Sequence, residues 1–392
     1  MPDAAYDVIV LGAGPVGLAV AAALGREGLG VALLEHGALA AYEEPSNADD
    51  WDQRVYALSP GSADFLRGLG AWQRLPPERL AAIEMMDVHG DRGGAIVFSA
   101  YDLGERALAW IVENRELCAT LVEAVRTCAK VAVLAPCDPT AIAWRVDGAL
   151  VELADGRRLS ARLIVGADGV RSWARREAGI AREPRPYGQT AVVANFGAAH
   201  AHRGRAFQWF VEGRGVLAWL PLPGRRVSMV WSAPDALAQE LLALDAAALA
   251  QRVAAAGGEA LGALALISKP AAFPLSFLKL DSPVGPRLAL VGDAAHVVHP
   301  LAGQGVNLGL GDAAMLAAVL KSRGPVDDAG AAILLERFAR KRALAVLSMQ
   351  MVTDGLVRLF AVPPLAALRN RGMNLVAAFA PVRRLLAQPA LR

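Results

Sequence analysis

The chain has 392 residues, enough for two domains or one large domain with an insertion. A hydrophobic fraction of 55% predicts extensive buried surface, and a net charge of +2 gives no global field that would favour nucleic acid. No signal peptide precedes the first predicted strand, and no uninterrupted apolar run reaches the ~18 residues of a membrane span, which predicts a cytoplasmic protein without a transmembrane segment.

The opening predicts strand, turn, helix, strand. Tyr6-Asp-Val-Ile-Val-Leu11 is a short apolar strand and Gly12-Ala-Gly-Pro-Val-Gly17 a tight turn. Residues 18–26 form a helix of small residues, and Gly30-Val-Ala-Leu-Leu-Glu35 is a second buried strand ending in an acid. This is a βαβ unit with a right-handed crossover. Residues 81–110 give short strand-like pieces, 83–89 and 95–99 among them, and a helix follows over 115–128. Cys118, Cys128 and Cys137 match no zinc spacing, and their low, odd count fits a reducing cytosol.

Residues 150–165 read as a hairpin around Asp155-Gly156 followed by a buried strand leading to Asp168-Gly169. The stretch 189–231 alternates as strands do and carries Trp209, Trp219 and Trp231, which are expected in the core rather than in a ligand cage. Residues 237–266 are alanine-rich and predict a helix, 287–291 a buried strand, and 307–321 a helix. The parts suggest a cofactor domain from residues 1–80, 108–180 and 280–345. A mixed-strand substrate domain from 81–107 and 181–279 interrupts it, and 346–392 form a C-terminal helical region.

The fingerprint works by removing side chains. Gly12 permits the turn, Gly14 lets backbone approach a pyrophosphate, and Gly17 lets helix and strand pack closely, with Pro15 and Val16 between them. The helix N-terminus offers N–H groups and a positive dipole end to phosphates. Glu35 follows Gly12 by 23 residues, near the offset at which an acid accepts hydrogen bonds from a ribose. A ligand-free glycine turn and an exposed Glu are the plain alternative.

A second small-residue segment, 292–312, lies far downstream: GDAAHVVHPLAGQGVNLGLGD. Gly292 and Asp293 end a predicted strand, where a carboxylate can accept hydrogen bonds from a polyol such as a ribityl chain. Pro300, Gly303, Gln304, Gly305, Val306 and Asn307 then lead into a helix, whose bare N–H groups suit the electron-rich pyrimidine edge of a reduced flavin. Two such segments at opposite ends of one chain point to a single long cofactor, FAD. His296 and His299 stand at i, i+3 but lack a third ligand, so no metal site is assigned.

With these residues in place the chain resembles the class A flavoprotein aromatic hydroxylases, the para-hydroxybenzoate hydroxylase fold group. Within that group it is similar to the ubiquinone-biosynthesis hydroxylases. The resemblance runs almost end to end. It rests on Gly12 to Gly17, Asp52-Gln-Arg54-Val-Tyr-Ala-Leu-Ser59, Glu113-Asn-Arg115, Gly166-Ala-Asp168-Gly169-Val-Arg171-Ser172, Gly292 to Gly309 and Thr353-Asp-Gly-Leu-Val-Arg358-Leu-Phe360. The Arg54 segment, the Trp209 region and the tail favour the ubiquinone branch.

The resemblance implies an α/β fold: a Rossmann-like FAD-binding domain, an inserted mixed β-sheet substrate domain and a C-terminal helical tail. It places Arg54 on the adenosine side of FAD near the mobile-flavin region, and Arg115 at a helix start along the phosphate-ribityl side. It gives Asp168 and Gly169 to FAD and the pyridine nucleotide, Asp293 to the ribityl chain, and 300–305 to the isoalloxazine ring. The plain alternatives are surface salt bridges for Arg54 and Arg115 and an ordinary turn for Asp168-Gly169.

The implied chemistry is ring hydroxylation of a polyprenylated phenol by O2 through a flavin C4a-hydroperoxide, with NAD(P)H as transient reductant. No side chain is assigned as catalytic acid or base. From Gly355 to Arg392 there is no Asp or Glu, while six arginines punctuate apolar runs. That pattern suits the inner face of an anionic membrane or a partner, a homodimer or biosynthetic complex included; helices packed on the cofactor domain are the alternative. Other readings are a hydroxylase of a soluble aromatic compound, and a non-catalytic flavin-binding scaffold. A flavin halogenase is disfavoured, because the first lysine is Lys130 and the Trp219-Leu-Pro221 stretch lacks the halogenase tryptophan pattern.

Overall fold

The computed structural model describes residues 4–39, 45–47, 50–180, 182–324 and 328–391. Five strands form a parallel sheet in the order Val131–Leu134, Val31–Leu34, Ala4–Leu11, Arg158–Gly166, Leu288–Leu290, with Val284–Gly285 antiparallel at the edge. Their period-2 pattern feeds two cores. Val8, Val10, Val31, Leu33, Leu163, Val165 and Ala289 face the helices Pro15–Arg26, Asn114–Arg126 and Gly305–Lys321. Ile9, Leu11, Ala32, Leu34, Ile164, Leu288 and Leu290 face the other way, under the antiparallel strands Pro139–Trp144 and Ala149–Leu153.

A second, nine-stranded sheet is built on Arg185–Ala198, Arg205–Val211, Gly215–Leu222 and Arg226–Pro234, and reaches Ala271–Lys279 on one side and Met85–His89 on the other. One face carries Val192, Phe196, Leu217, Trp219, Met229 and Trp231 under the helices Asp235–Ala243 and Ala246–Ala256. Trp219 and Trp231 are fully buried, and Trp209 packs between Phe207 and Trp219, so the three tryptophans are core residues. A small antiparallel sheet, Val55–Leu58, Ala109–Glu113 and Ala81–Ile83, adds a third layer.

The helix expected over 237–266 is two helices and a strand. Asp245 breaks it by capping the second helix, accepting from the Ala248 N–H at 2.8 Å. That helix ends at Ala256 because Gly257 passes so close to Trp219 that a Cβ there would lie 2.3 Å from the indole. Leu264–Leu266 then joins the sheet beside Phe196, Gly197 and Ala198. Alanine content signals helix, but the cap and the indole decide where it stops.

The helix Ala332–Phe360 runs unbroken across the boundary expected at 345–346. By length and composition it could cross a membrane, with a mean hydropathy of 1.4 over its most apolar window and 17% of that window buried. One side is docked on protein: Met349 and Thr353 are buried, and Gln350 Nε2 donates to the Leu278 carbonyl at 2.8 Å. Ala366–Ala378 and Ala380–Leu391 follow. Arg369 pairs with Asp91, both side chains 1% exposed, in the turn beyond Met85–His89. Asn370 Oδ1 there accepts from the Gly94 N–H at 2.8 Å.

Candidate functional site

From Ala4–Leu11 the parallel sheet grows to Val31–Leu34 on one side and to Arg158–Gly166 on the other. The carboxyl ends of these two strands therefore form a topological switch point, where open α/β sheets hold ligands. Gly12 sits there with φ +99°, and a Cβ on it would lie 2.7 Å from the Ala167 carbonyl oxygen. A Cβ on Gly17 would lie 1.9 Å from the Gly12 oxygen, so the first helix turn rests directly on the loop. Gly14 is the N-cap with no side-chain cap, Pro15 opens the helix, and nothing lies within 4 Å of where a Gly14 Cβ would stand.

The downstream segment meets this turn through Val16. A Cβ on Gly309 would approach Val16 Cγ2 to 2.4 Å, and one on Gly292 (φ +57°) would approach Val16 Cγ1 to 3.3 Å. Helices Pro15–Arg26 and Gly305–Lys321 thus pack with no spacing side chain. The structure brings together Gly12, Gly14, Val16, Gly17, Asp168, Gly292 and Asp293 at the switch point.

Glu35 lies over the fingerprint loop: its Oε2 accepts from the Ala13 N–H at 2.6 Å and its Oε1 from the Gly37 N–H at 3.3 Å. A carboxylate has about four acceptor positions, which leaves capacity for a ribose. Asp168 Oδ2 accepts from the Ala174 N–H at 2.9 Å, while its Oδ1 is buried without a partner among the described residues. Asp293 keeps an exposed edge. Protein nevertheless crowds it enough that burial raises its carboxyl above the ordinary value, with His296 and Arg54 pulling the other way. Arg54 lays its guanidinium 4.6 Å above the Phe273 ring, and Tyr56 donates to Asn114 Oδ1 at 3.0 Å. Burial pushes the Tyr56 hydroxyl up to about 12.

Residues 300–307 begin as a 3-10 turn, Pro300–Ala302, closed by Gly303 at φ +61°. Gln304 is buried at the N-cap of Gly305–Lys321 with no side-chain cap, and a Cβ on Gly305 would meet nothing within 4 Å. Val306 packs against the main core. Asn307 pins the loop, donating to the Ala57 carbonyl at 2.8 Å and accepting from the Ser59 N–H at 3.0 Å. Arg115 lies in the first turn of the helix Asn114–Arg126, beside the Arg54 segment, its backbone N–H donating to Asp52 Oδ2 at 3.0 Å. Its guanidinium pairs with Asp50 and Glu113, each at 3.1 Å, and Glu113 also holds Arg79 at 2.6 Å.

These groups fit FAD. Two helix N-termini without side-chain caps, each beside an open glycine, suit a pyrophosphate and a pyrimidine edge. Glu35 and Asp293, with the unpartnered Asp168 oxygen, offer acceptor positions of the kind sugar and polyol hydroxyls require. A cleft of about 540 Å³ lined by Tyr101, Asp102, Glu105, Arg384 and Gln388 lies at the C-terminal helix, and none of the cradle residues lines it.

Sequence reasoning missed Asp312. It is buried in the helix Gly305–Lys321, accepts from the Gly292 N–H at 2.9 Å, meets His296 Nε2 at 2.6 Å, and pairs with Arg342 Nε at 2.6 Å. Burial works against this carboxylate, but His296, Arg342 and the Gly292 N–H hold it below the ordinary value. Asp312 thereby fixes the turn that carries Asp293. One charged residue inside an otherwise apolar helix was the available signal.

The two histidines have separate partners, His296 with Asp312 and His299 Nε2 with Gln189 Oε1 at 2.9 Å. Burial lowers the His299 imidazole from 6.5 to about 4. Because the unfolded chain then binds the extra proton, its contribution is complete above pH 6.5 and is lost as pH falls toward about 4. We expect acidification across this window to remove about 3 kcal/mol through this residue. Urea midpoints of wild type and His299→Asn from pH 7 to 5 check it, the variant showing the flatter dependence; parallel curves would contradict it.

The FAD binding domain family matches residues 5–351. Over 99% of this chain and 90% of its own length, the ubiquinone hydroxylase UbiL of Rhodospirillum rubrum is 35% identical. The 3-demethoxyubiquinol 3-hydroxylase of Escherichia coli K12 is 32% identical over 95% of both chains. The crystal structure of Pseudomonas aeruginosa PqsL with 2-aminobenzoylacetate superposes with a TM-score of 0.77 at 26% identity, covering 96% of this chain and 99% of that one. Fold, cradle and similarity together define an FAD-dependent monooxygenase. The chain belongs to the FAD binding domain family.

Proposed function

We propose that this monooxygenase hydroxylates the aromatic ring of a polyprenylated phenol in ubiquinone biosynthesis. The observation that carries the reading is the cradle itself, in a chain similar along nearly its whole length to two ubiquinone-pathway hydroxylases. Bound FAD would supply the activation of dioxygen, with electrons from a transiently docked NAD(P)H. Gly12, Gly14, Pro15, Val16 and Gly17 would receive the pyrophosphate, and Glu35 the ribose. Asp293 and Gly292 would hold the ribityl chain; Pro300, Gly303, Gln304, Gly305, Val306 and Asn307 would border the ring. Asp168 would organise the site through its free oxygen. Arg54 would lie on the adenosine side of FAD and Arg115 along its phosphate-ribityl side, where Asp50 and Glu113 hold the Arg115 guanidinium. Residues 1–80, 108–180 and 280–345 would serve as the cofactor domain, and 81–107 with 181–279 as the substrate domain.

Deleting the gene in its host and following quinone precursors by mass spectrometry tests this. Accumulation of an unhydroxylated polyprenyl phenol, reversed on complementation, is expected. Normal quinone levels with a different aromatic accumulating would favour a soluble substrate.

The same reading includes peripheral contact with an anionic membrane. Leu344, Met351, Leu368, Leu375, Phe379 and Leu385 are all more than half exposed, and no acid follows Asp354. A second copy on this face would set arginine against arginine, whereas anionic lipid complements it. The protein is expected to sediment with anionic vesicles at low salt. Reversing Arg371 and Arg384 to Glu should weaken that binding about tenfold or more, at about 1 kcal/mol for each basic residue lost. Wild type remaining in the supernatant at low salt would sink the membrane contact.

A further inference from the structure

Residues 51–54 end in Arg54, and two parts of the molecule hold them. On one side stands the start of the helix Asn114–Arg126. There the Asp52 N–H donates to Glu113 Oε1 at 2.6 Å, Asp52 Oδ2 accepts from the Arg115 N–H at 3.0 Å, and the Arg54 carbonyl accepts from the Asn114 N–H at 2.9 Å. On the other side the second sheet holds each residue in turn. Asn195 Nδ2 donates to the carbonyls of Trp51 and Asp52 at 3.3 and 3.0 Å. Gln53 Nε2 donates to the Lys269 carbonyl at 2.7 Å, and the Arg54 guanidinium lies over Phe273.

Asn195 lies within the strand Arg185–Ala198. Val192, Ala194 and Phe196 pack under the helices, so strand alternation turns Asn195 to the opposite face. Its backbone is fixed at both groups: the N–H donates to Ser268 Oγ at 2.8 Å, and the carbonyl accepts from the Ile267 N–H at 2.9 Å. The residue is 0% exposed, and its Oδ1 has no partner among the described residues. Ser228, opposite it on the neighbouring strand, is also fully buried with an unpartnered Oγ.

An unpaired polar atom in a buried position destabilises the fold, and an apolar side chain would avoid it. The amide brings something an apolar side chain lacks. Asn is the shortest side chain whose single nitrogen offers two N–H donors, one for each of two consecutive carbonyls. Arg54 is itself exposed, and a long exposed side chain keeps many rotamers unless its surroundings restrict it. It stands within electrostatic reach of Asp293, whose carboxyl it helps to lower.

We propose that Asn195 is a positioning residue for the cofactor site: by holding the Trp51 and Asp52 carbonyls it keeps the Arg54 guanidinium in place for FAD. A residue of the second sheet thereby sets how tightly the cradle holds its cofactor. The inference rests on the role proposed above for Arg54 on the adenosine side of FAD.

Titration of the full-length apoprotein with FAD tests it in a double-variant cycle. Arg54→Ala is expected to weaken FAD about tenfold. Asn195→Leu, which keeps the branched shape but loses both donors, should weaken it about tenfold as well. The double variant should bind FAD no more weakly than Arg54→Ala alone, because Asn195 acts through Arg54. FMN, which lacks the adenosine half, should bind Asn195→Leu as it binds wild type. Ser228→Ala removes the neighbouring buried hydroxyl without touching residues 51–54, and should bind FAD as wild type does. A hundredfold loss in the double variant overturns the assignment, as does wild-type FAD affinity in Asn195→Leu. Equal weakening of FMN and FAD by Asn195→Leu, or of FAD by Ser228→Ala, would show a general disturbance of the sheet and overturn it too. Wild-type affinity in Arg54→Ala would instead remove the cofactor role of Arg54, and the role of Asn195 with it. Should Asn195→Leu not fold, Asn195→Ser, too short to reach both carbonyls, takes its place in the same cycle.

Discussion

Alanine at position 17 is expected to yield a protein that purifies without its flavin. The added Cβ would stand 1.9 Å from the Gly12 carbonyl oxygen, a backbone atom that cannot swing aside as a side-chain end could. Either the helix Pro15–Arg26 lifts from the turn or the turn opens, and Gly12 is itself held against Ala167. Overpacking of this kind costs about 3 kcal/mol, which as lost FAD affinity is about a hundredfold. Fluorescence titration of apoprotein with FAD measures it. Gly14→Ala is the companion: nothing lies within 4 Å of its new Cβ, so apoprotein stability should match wild type while FAD binding weakens. Wild-type affinity in Gly17→Ala would contradict the packing argument.

Removing Arg369 is expected to destabilise the protein by about 3–5 kcal/mol, because it leaves Asp91 charged and buried. Both side chains are 1% exposed, and Arg369 Nη1 also donates to the carbonyls of Leu359 and Val362 at 3.0 and 2.6 Å. The loss should spread to the cofactor loop, since Phe360 stacks on Phe210 at 3.6 Å and Leu301 packs in the same cluster. Denaturant unfolding of Arg369→Ala measures the effect. The double variant Arg369→Met, Asp91→Leu should recover most of the stability, because it buries no lone charge. A single-variant loss below about 1 kcal/mol would refute the assignment of this pair as the anchor of the tail.

What could be read from the sequence was whatever depends on local spacing. The glycines at 12, 14 and 17 announce three different jobs because each follows from its distance along one turn, and the structure gives each a distinct environment. Residues 300–307 were legible as a turn that opens a helix for the same reason. Contacts between distant segments were not. Nothing local says that Val16 needs glycine at both 292 and 309, or that Asp312 reaches back to the Gly292 N–H and across to Arg342. The motif singles out Arg115, but only the fold reveals that Asp50 and Glu113 hold its guanidinium. The alanine-rich stretch misled because composition reports helix propensity, not the point where Asp245 and the Trp219 indole interrupt it.

The most direct measurement is oxygen transfer. Purified protein with FAD and NADPH, given isotopically heavy dioxygen and 2-geranylphenol, should return the phenol carrying one heavy oxygen on its ring, seen by mass spectrometry. NADPH consumption that yields only hydrogen peroxide, with the phenol unchanged and a lipid bilayer present, would contradict the account.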